Sequence, residues 1–206
     1  MFLKIYFAVL SLGITLNITA QQKFSFTEPK MGSPFTVIFY STDSLRAASL
    51  AKQCFKLVDS FNLIFSDYTD ASELGKLNAS AGMNTEATEV SRSLYELLIL
   101  SKQAFEKSHG SFDITMGPVV KLWRNVRRIQ QFPDKETVLS VLKLTGFQKL
   151  MIDTVRHKIL LPVKGMQLDL GGIAKGWIAQ QVIDFLRTEK IDHALVDAGG
   201  DIVMSN

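Results

Sequence analysis

The segment with the most chemical information spans residues 168–176 and reads Leu-Asp-Leu-Gly-Gly-Ile-Ala-Lys-Gly. It predicts a strand end at the carboxylate of Asp169, a tight turn at two glycines, and a helix with Lys175 in its first turn. The first turn of a helix presents unpaired N–H groups and partial positive charge, which together bind phosphate oxygens. Because a cation is disfavoured at that end of a helix, the position of Lys175 indicates a bound anion as its partner. A packing turn with a solvated lysine explains the segment equally well.

A second segment, residues 109–118, reads His-Gly-Ser-Phe-Asp-Ile-Thr-Met-Gly-Pro and places an aromatic ring, a carboxylate and hydroxyls in one turn. Its Asp113 has an ordinary alternative role, because an aspartate in a turn usually braces its own loop. Three more polar segments, at 31–33, 65–78 and 198–202, also fall where predicted elements meet. Loops between elements are where binding and catalytic residues concentrate.

Several common nucleotide and metal sites are excluded by residue spacing. Residues 171–176 have the glycine spacing of a P-loop, but Trp177 and Ile178 occupy the places of its Lys and Ser or Thr. The glycine fingerprint of dinucleotide-binding folds is absent. The histidines lie far apart in the sequence, at positions 109, 157 and 193. This spacing argues against a zinc site.

Composition places the chain among ordinary globular proteins. Of its 206 residues, 47% are hydrophobic and 21% are charged, which excludes a disordered, collagen-like or coiled-coil protein. The net charge of +3 is too small to indicate nucleic acid as a partner. The single cysteine, Cys54, excludes a disulfide scaffold and is predicted to be a small buried hydrophobe. A basic cluster is predicted to form a solvated face, with docking of an acidic partner as the alternative; its members are Lys121, Arg124, Arg127 and Arg128.

The elements that must position these loops alternate between strands and helices. Apolar residues recur at helical spacing after Asp43 or Ser44, either of which can cap the helix, and again after Ser91, which is the predicted cap of a helix that ends at Gly110. The other predicted elements are a strand at 35–40, a helix at 134–144, strands at 150–152 and 158–161, a strand end at 168–170, a helix at 173–186 and a strand at 194–197. We expect an α+β fold.

The N-terminus has the pattern of a secretory signal. Lys4 precedes an apolar run at 5–16, and a more polar stretch ends at Ala20. The run is too short to span a bilayer, which takes about 20 apolar residues. We expect cleavage near Ala20 and export to the periplasm or the outer face of the cytoplasmic membrane, with at most peripheral membrane association. Residues 1–20 are then the signal peptide and 21–206 one domain. Gln21 stands where a lipid-anchored protein would need a cysteine.

In their order and spacing, the five segments resemble the ApbE family, the FAD:protein FMN transferases. The resemblance runs from about residue 31 to 202. The matching motifs are Met-Gly-Ser at 31–33 (Met-Gly-Thr in the family), Ser-Asp-Tyr at 66–68, Ser-Glu-Leu at 72–74, Leu-Asn at 77–78, Gly-Ser-Phe-Asp-Ile-Thr-Met-Gly-Pro at 110–118, Leu-Trp at 122–123, the unchanged segment at 168–176, and Gly-Gly-Asp-Ile at 199–202.

This resemblance implies an ApbE-like fold of mixed or antiparallel sheets with packed helices. It also implies an enzyme that splits the diphosphate of FAD with Mg²⁺, releases AMP, and attaches FMN to a Thr or Ser hydroxyl of an exported flavoprotein. The implied FAD contacts are Met31, Tyr68, Ser111, Phe112, Asp113, Asp169 and Lys175. The backbone carbonyl of Gly172 matches a metal ligand, and no catalytic residue is assigned.

Members of the family continue beyond the Gly-Gly-Asp-Ile motif, and that part supplies the Asp and the Thr or Ser that complete the Mg²⁺ site. We therefore expect residues 21–206 to be a domain that is incomplete at its C-terminus. The alternatives to an active transferase are flavin binding without turnover and an inert remnant. A further possibility is that a second polypeptide supplies the missing part.

Overall fold

Seven strands and six helices make up the computed structural model, which describes residues 20–83 and 86–205. The predicted signal sequence therefore lies outside the described residues, except for Ala20. The strands are β1 (Gln22–Lys30), β2 (Ser33–Ser41), β3 (Thr88–Glu89), β4 (Met151–Asp153), β5 (Lys158–Leu160), β6 (Ala194–Ala198) and β7 (Asp201–Met204). The helices are α1 (Ser44–Phe65), α2 (Glu73–Ala79), α3 (Arg92–Lys107), α4 (Gly117–Ile129), α5 (Lys135–Leu142) and α6 (Ala174–Thr188).

The larger sheet is antiparallel and has the strand order β1-β2-β6-β7. In β2, Phe35, Val37 and Phe39 are fully buried, as the two-residue period of a strand with one face on the core requires. The turn from β1 to β2 is Met31-Gly32, with φ of 50° and 75°. Two-residue hairpin turns commonly need positive φ at both positions, which glycine adopts freely and methionine does not.

Helices α1 and α6 cover the larger sheet and contact each other. The end of α1 meets the start of α6 in an aromatic cluster, in which Trp177 packs edge-on against Phe61 and Phe65 with ring centroids 4.9 and 5.3 Å apart. Such aromatic pairs contribute about 0.5–1.5 kcal/mol beyond area burial. The cluster fixes the first turn of α6, which carries Lys175, beside the C-terminal end of α1.

The second sheet is small and antiparallel, with the order β3-β5-β4. The α+β class and the antiparallel sheets with packed helices, both predicted from sequence, are confirmed. The predicted caps are confirmed as well, because Asp43 accepts a hydrogen bond from the N–H of Leu45 and Ser91 accepts one from the N–H of Leu94.

Residues 168–170 do not form the predicted strand end. Their backbone pairs with a side chain and with a loop instead of with a neighbouring strand. Five elements were not predicted from the sequence: β1, α2, β3, α4 and β7. No helix within residues 20–83 and 86–205 combines the length and apolar character that crossing a membrane requires.

Cys54 is fully buried on α1, which confirms the prediction of a small buried hydrophobe. Burial raises the pKa of its thiol to about 12. Because the thiolate is the nucleophilic form of cysteine, a buried thiol with a raised pKa is suited to packing and not to nucleophilic chemistry.

Candidate functional site

A cleft of about 510 Å³ opens where the end of α1, the loop after it, α4 and the start of α6 meet. It brings together three of the residues predicted from sequence, Met31, Tyr68 and Lys175, although they are far apart in the chain. The remaining lining residues are Gly32, Asn62, Phe65, Ser66, Asp67, Arg124, Leu170, Gly171 and Ala174. The lining therefore combines apolar side chains with the charged groups of Asp67, Arg124 and Lys175.

The loop that carries Asp67 and Tyr68 is held by the serine that follows it. Ser72 Oγ accepts a hydrogen bond from the N–H of Gly75 at 2.9 Å, which caps α2. The same hydroxyl lies within hydrogen-bond distance of the carbonyls of Ser66 and Thr69. A serine at this position thus ties both ends of the loop to α2. Tyr68 is 80% exposed, so its ring stands open at the mouth of the cleft.

The loop that carries Asp169 is held by the buried amide of Asn78. Asn78 Nδ2 donates to the Leu168 carbonyl at 2.9 Å, and its Oδ1 accepts from the Leu168 N–H at 2.8 Å. The next N–H, that of Asp169, donates to the Ile114 carbonyl at 2.8 Å. The amide satisfies both backbone groups of Leu168, as a neighbouring strand would, although residues 168–170 belong to no sheet. This gives the Leu-Asn motif a physical role.

Replacing Asn78 by alanine is expected to lower the free energy of unfolding by about 2–3 kcal/mol, because a buried N–H and a buried carbonyl of Leu168 both lose their partner. Urea titration followed by circular dichroism measures this change. Asn125→Ala is the matched control, since Asn125 is exposed and its side-chain oxygen accepts from the exposed Arg128. An equal loss in the two variants would contradict the role of the buried amide.

Arg124 of α4 joins the two loops. Its Nη1 donates to Asp67 Oδ2, and its Nη2 donates to Asp169 Oδ2 at 2.9 Å. The side chains of these two aspartates are only 9% and 10% exposed. The guanidinium also lies over the Tyr68 ring, 4.2 Å from its centroid, in a cation–π arrangement. One side chain therefore fixes both carboxylates and the exposed ring.

The surroundings of Arg124 stabilise the positive charge of its guanidinium. Partial burial by itself lowers the pKa of the guanidinium, but the hydrogen bond to Asp67 and the charges of Asp67 and Asp169 outweigh it, so the pKa of Arg124 lies above its ordinary value. A planar guanidinium can engage two carboxylates at once, which a lysine ammonium cannot do with the same geometry.

Lys175 is the cation in the cleft that remains available. It is half-buried at the start of α6, where no side chain caps the helix. Within residues 20–83 and 86–205, no ion pair or hydrogen bond engages its ammonium group. The nearby carboxylates are engaged by Arg124. A half-buried ammonium group beside a helix N-terminus is suited to an anionic ligand.

The loop with Ser111, Phe112 and Asp113 lies beside the cleft and does not line it. Asp113 Oδ1 accepts from the Thr115 backbone and hydroxyl at 2.8 and 2.7 Å, and its Oδ2 accepts from the N–H of Phe147 at 3.2 Å. This aspartate braces its own loop, which is the ordinary role considered for it. Ser111 is exposed and Phe112 half-buried. The implied FAD contacts of all three stay predictions.

The predicted metal ligand, the carbonyl of Gly172, lies in the turn before α6, where a Cβ on this residue would sit 3.3 Å from the Phe112 ring. In the part of the chain that the structure describes, no three His, Cys, Asp or Glu side chains form a group that could hold a metal ion. Mg²⁺ takes about six oxygen ligands. One carbonyl, with Asp67 and Asp169 both bound to Arg124, does not fit a magnesium site by itself.

The prediction of a solvated basic face is wrong for Arg124, because this residue lies in the cleft and is ion-paired. Lys121, Arg127 and Arg128 are exposed, as predicted. Residues 121, 124 and 128 share one face of α4 by their spacing. Arg124, in the middle of this face, lines the cleft, whereas Lys121 and Arg128 do not. The position of Arg124 was not predicted because helix α4 was not predicted.

The model of the ApbE family matches residues 31–206 of the chain. A curated relative from Klebsiella pneumoniae (strain 342), named FAD:protein FMN transferase, is 32% identical over 179 residues, which are 87% of this chain and 55% of the relative. A second relative of the same name, from Treponema pallidum (strain Nichols), is 35% identical over 156 residues, which are 73% of this chain and 42% of the relative. The chain thus spans about half the length of these relatives.

Solved structures show the same fold. The apo form of the flavinyl transferase ApbE from Pseudomonas stutzeri has a TM-score of 0.80 and 27% identity over 93% of this chain and 60% of that one. The flavin transferase ApbE from Vibrio cholerae has a TM-score of 0.82 and 24% identity over 91% of this chain and 60% of that one. Both similarities extend over nearly the whole of the chain described here.

Proposed function

The chain belongs to the ApbE family, and from this premise we propose that it binds FAD in the cleft and transfers FMN to a Thr or Ser hydroxyl of an exported flavoprotein, with release of AMP. The curated relatives are named for this type of reaction. The chain itself covers about half of their length.

One observation carries the proposal: a half-buried Lys175 without an ion-pair partner among the described residues faces the cleft at the start of α6. The diphosphate of FAD carries two negative charges near neutral pH, and phosphate oxygens are well matched to a lysine and a helix N-terminus acting together. Arg124 is already neutralised by two carboxylates. Lys175 is therefore the group that would contact the diphosphate.

The aromatic and apolar residues of the cleft suit the rings of the dinucleotide. Tyr68 has one face against Arg124 and is largely exposed, so a ring of the ligand can stack on it. Met31 and Leu170 supply apolar surface on other sides of the cleft. Asp169 has one carboxylate oxygen on Arg124 and the other on the N–H of Gly171. Its role is to order the loop that faces the ligand.

The proposed reaction exchanges one phosphate bond for another. The oxygen of the acceptor hydroxyl forms a bond to the FMN phosphorus, the bond from that phosphorus to the bridging oxygen breaks, and the bridging oxygen leaves with AMP. The hydroxyl proton passes to a base or to solvent. Phosphoryl transfer depends mainly on positioning and on neutralisation of charge, and Lys175 supplies a charge of the required sign.

Magnesium dependence remains a prediction from the family resemblance. The described residues offer the Gly172 carbonyl and no cluster of acidic ligands. This observation favours a second candidate function, flavin binding without turnover, for a chain limited to these residues. The two candidates share the cleft and differ in whether FAD is cleaved.

The distinguishing experiment mixes the purified chain with FAD, Mg²⁺ and a Thr-bearing acceptor domain that the Klebsiella relative modifies, with that relative as positive control. AMP is measured by chromatography and attached flavin by in-gel fluorescence. AMP release with a fluorescent acceptor supports the transferase. Saturable quenching of FAD fluorescence without AMP supports binding alone. The absence of both AMP release and fluorescence quenching would contradict both candidates.

We also propose export of the chain, supported by the signal pattern at residues 1–20. N-terminal sequencing of the protein recovered from the exported fraction of its host is expected to begin near Gln21. Recovery of the chain solely from the cytoplasm with Met1 intact would contradict export.

A further inference from the structure

A buried hydroxyl without a partner lies behind the cleft. Among side-chain nitrogen and oxygen atoms of the described residues, Ser33 Oγ is the one that is buried and makes no hydrogen bond. Native proteins rarely leave such a group unsatisfied, because a buried polar atom without a partner destabilises the fold. A serine retained in this state requires an explanation.

The geometry places this hydroxyl next to Lys175. Ser33 begins β2, directly after the Met31-Gly32 turn that lines the cleft. It lies against Gly199 of the turn between β6 and β7, where a Cβ would clash with Ser33 Oγ and would sit 3.5 Å from Lys175 Nζ. The hydroxyl and the ammonium group therefore border the same small space, which glycine leaves open.

The two groups are complementary in chemistry. Lys175 has three N–H donors and no hydrogen bond or ion pair within residues 20–83 and 86–205, and Ser33 Oγ has unused lone pairs. A neutral oxygen can fix the direction of an ammonium group without cancelling its charge. A carboxylate at the same place would neutralise the lysine and compete with an anionic ligand.

We propose that Ser33 is a positioning residue for Lys175. When FAD is bound, the ammonium group donates one hydrogen bond to Ser33 Oγ and directs its other two N–H groups at the diphosphate. Because Ser33 Oγ is buried and Ser33 does not line the cleft, the hydroxyl acts through the lysine and does not touch the ligand. The inference rests on the proposed binding of FAD.

A positioning role and a structural role for Ser33 predict different effects of Ser33→Ala on melting temperature and on FAD affinity. If the hydroxyl stabilised the folded state, Ser33→Ala would lower the melting temperature. For a hydroxyl that is unsatisfied until ligand binds, Ser33→Ala leaves the melting temperature of the ligand-free protein unchanged or raises it, while it weakens FAD binding about 10-fold, the effect of one hydrogen bond to a charged group. Ser33→Thr, which retains the hydroxyl, restores binding to within about 3-fold of the original.

The test is a double-mutant cycle with FAD affinity measured by fluorescence quenching. Ser33→Ala is expected to weaken binding in the original chain and to have no effect in the Lys175→Ala background, because the serine acts only through that lysine. Ser25→Ala is the control, since Ser25 is an exposed serine of the neighbouring β1. It is expected to change neither affinity nor melting temperature.

The outcomes separate this inference from the proposed function. If the original chain does not bind FAD, the proposed function fails and the inference fails with it. If Lys175→Ala weakens binding and Ser33→Ala does not, the positioning role alone is overturned. It is also overturned if Ser33→Ala weakens binding equally in both backgrounds, or if it lowers the melting temperature of the ligand-free protein.

Discussion

Lys175→Ala is expected to lower the affinity of the chain for FAD about 100-fold, which corresponds to about 3 kcal/mol, the effect of removing one preorganised charged donor from a site. The reason is that Lys175 is the cation of the cleft without a carboxylate partner among the described residues. Titration of FAD into the protein, followed by quenching of flavin fluorescence, measures the change. In a chain that turns FAD over, FMN transfer is expected to fall by a similar factor.

The matched control is Lys121→Ala. Lys121 is an exposed lysine of α4 outside the cleft, so its removal changes the net charge equally without removing a group of the site. Its effect on FAD affinity is expected to be less than about 3-fold in moderate salt, since exposed charges are screened. Equal losses in the two variants would mean that overall charge governs binding.

Arg124→Ala has the second large expected effect, on both stability and binding. It leaves Asp67 and Asp169, which are 9% and 10% exposed, without their partner. Breaking a buried ion pair by removing one member is strongly destabilising, and we expect a loss of about 3 kcal/mol in the free energy of unfolding. FAD affinity is expected to fall at least ~10-fold, because two unpaired carboxylates then face an anionic ligand.

Urea unfolding and FAD titration together test this prediction. Arg128→Ala is the control, because Arg128 lies one turn further along α4, is exposed and donates a hydrogen bond to the exposed Asn125. It is expected to stay within about 0.5 kcal/mol of the original chain. Arg124→Lys should recover only part of the loss, since an ammonium group lacks the planar fork that bridges two carboxylates. Full stability in Arg124→Ala would contradict the bridging role.

The sequence predicted the elements whose signals are local. Helix α1 begins at a capping aspartate and has a regular apolar stripe, and β2 is rich in the β-branched and aromatic residues that favour strands. Strand β1 has a weaker local signal, because Pro29 lies within it. It is recognised as a strand by its hydrogen-bonded pairing with β2. A proline is tolerated at an edge strand. Only the three-dimensional pairing identifies this segment as a strand.

The site was predictable in part, for a similar reason. Lys175 and Asp169 lie in one short motif, and their placement beside a glycine turn points to an anion site. Arg124 is 57 residues from Asp67 and 45 from Asp169, and no local pattern pairs such distant residues. If α4 had been predicted, the spacing of Lys121, Arg124 and Arg128 would have indicated that these residues share one helical face. The role of Asn78 as a substitute strand likewise depends on a contact across 90 residues.

The central claim is that the turn from Asp169 to Lys175 holds the diphosphate of FAD, and phosphorus NMR of FAD in the presence of the protein tests it most directly. Both phosphorus resonances are expected to shift or broaden in a saturable way with the original chain. Both effects should be largely lost with Lys175→Ala at the same FAD and protein concentrations. Unchanged phosphorus resonances under conditions where flavin fluorescence shows FAD to be bound would place the diphosphate elsewhere and contradict the claim.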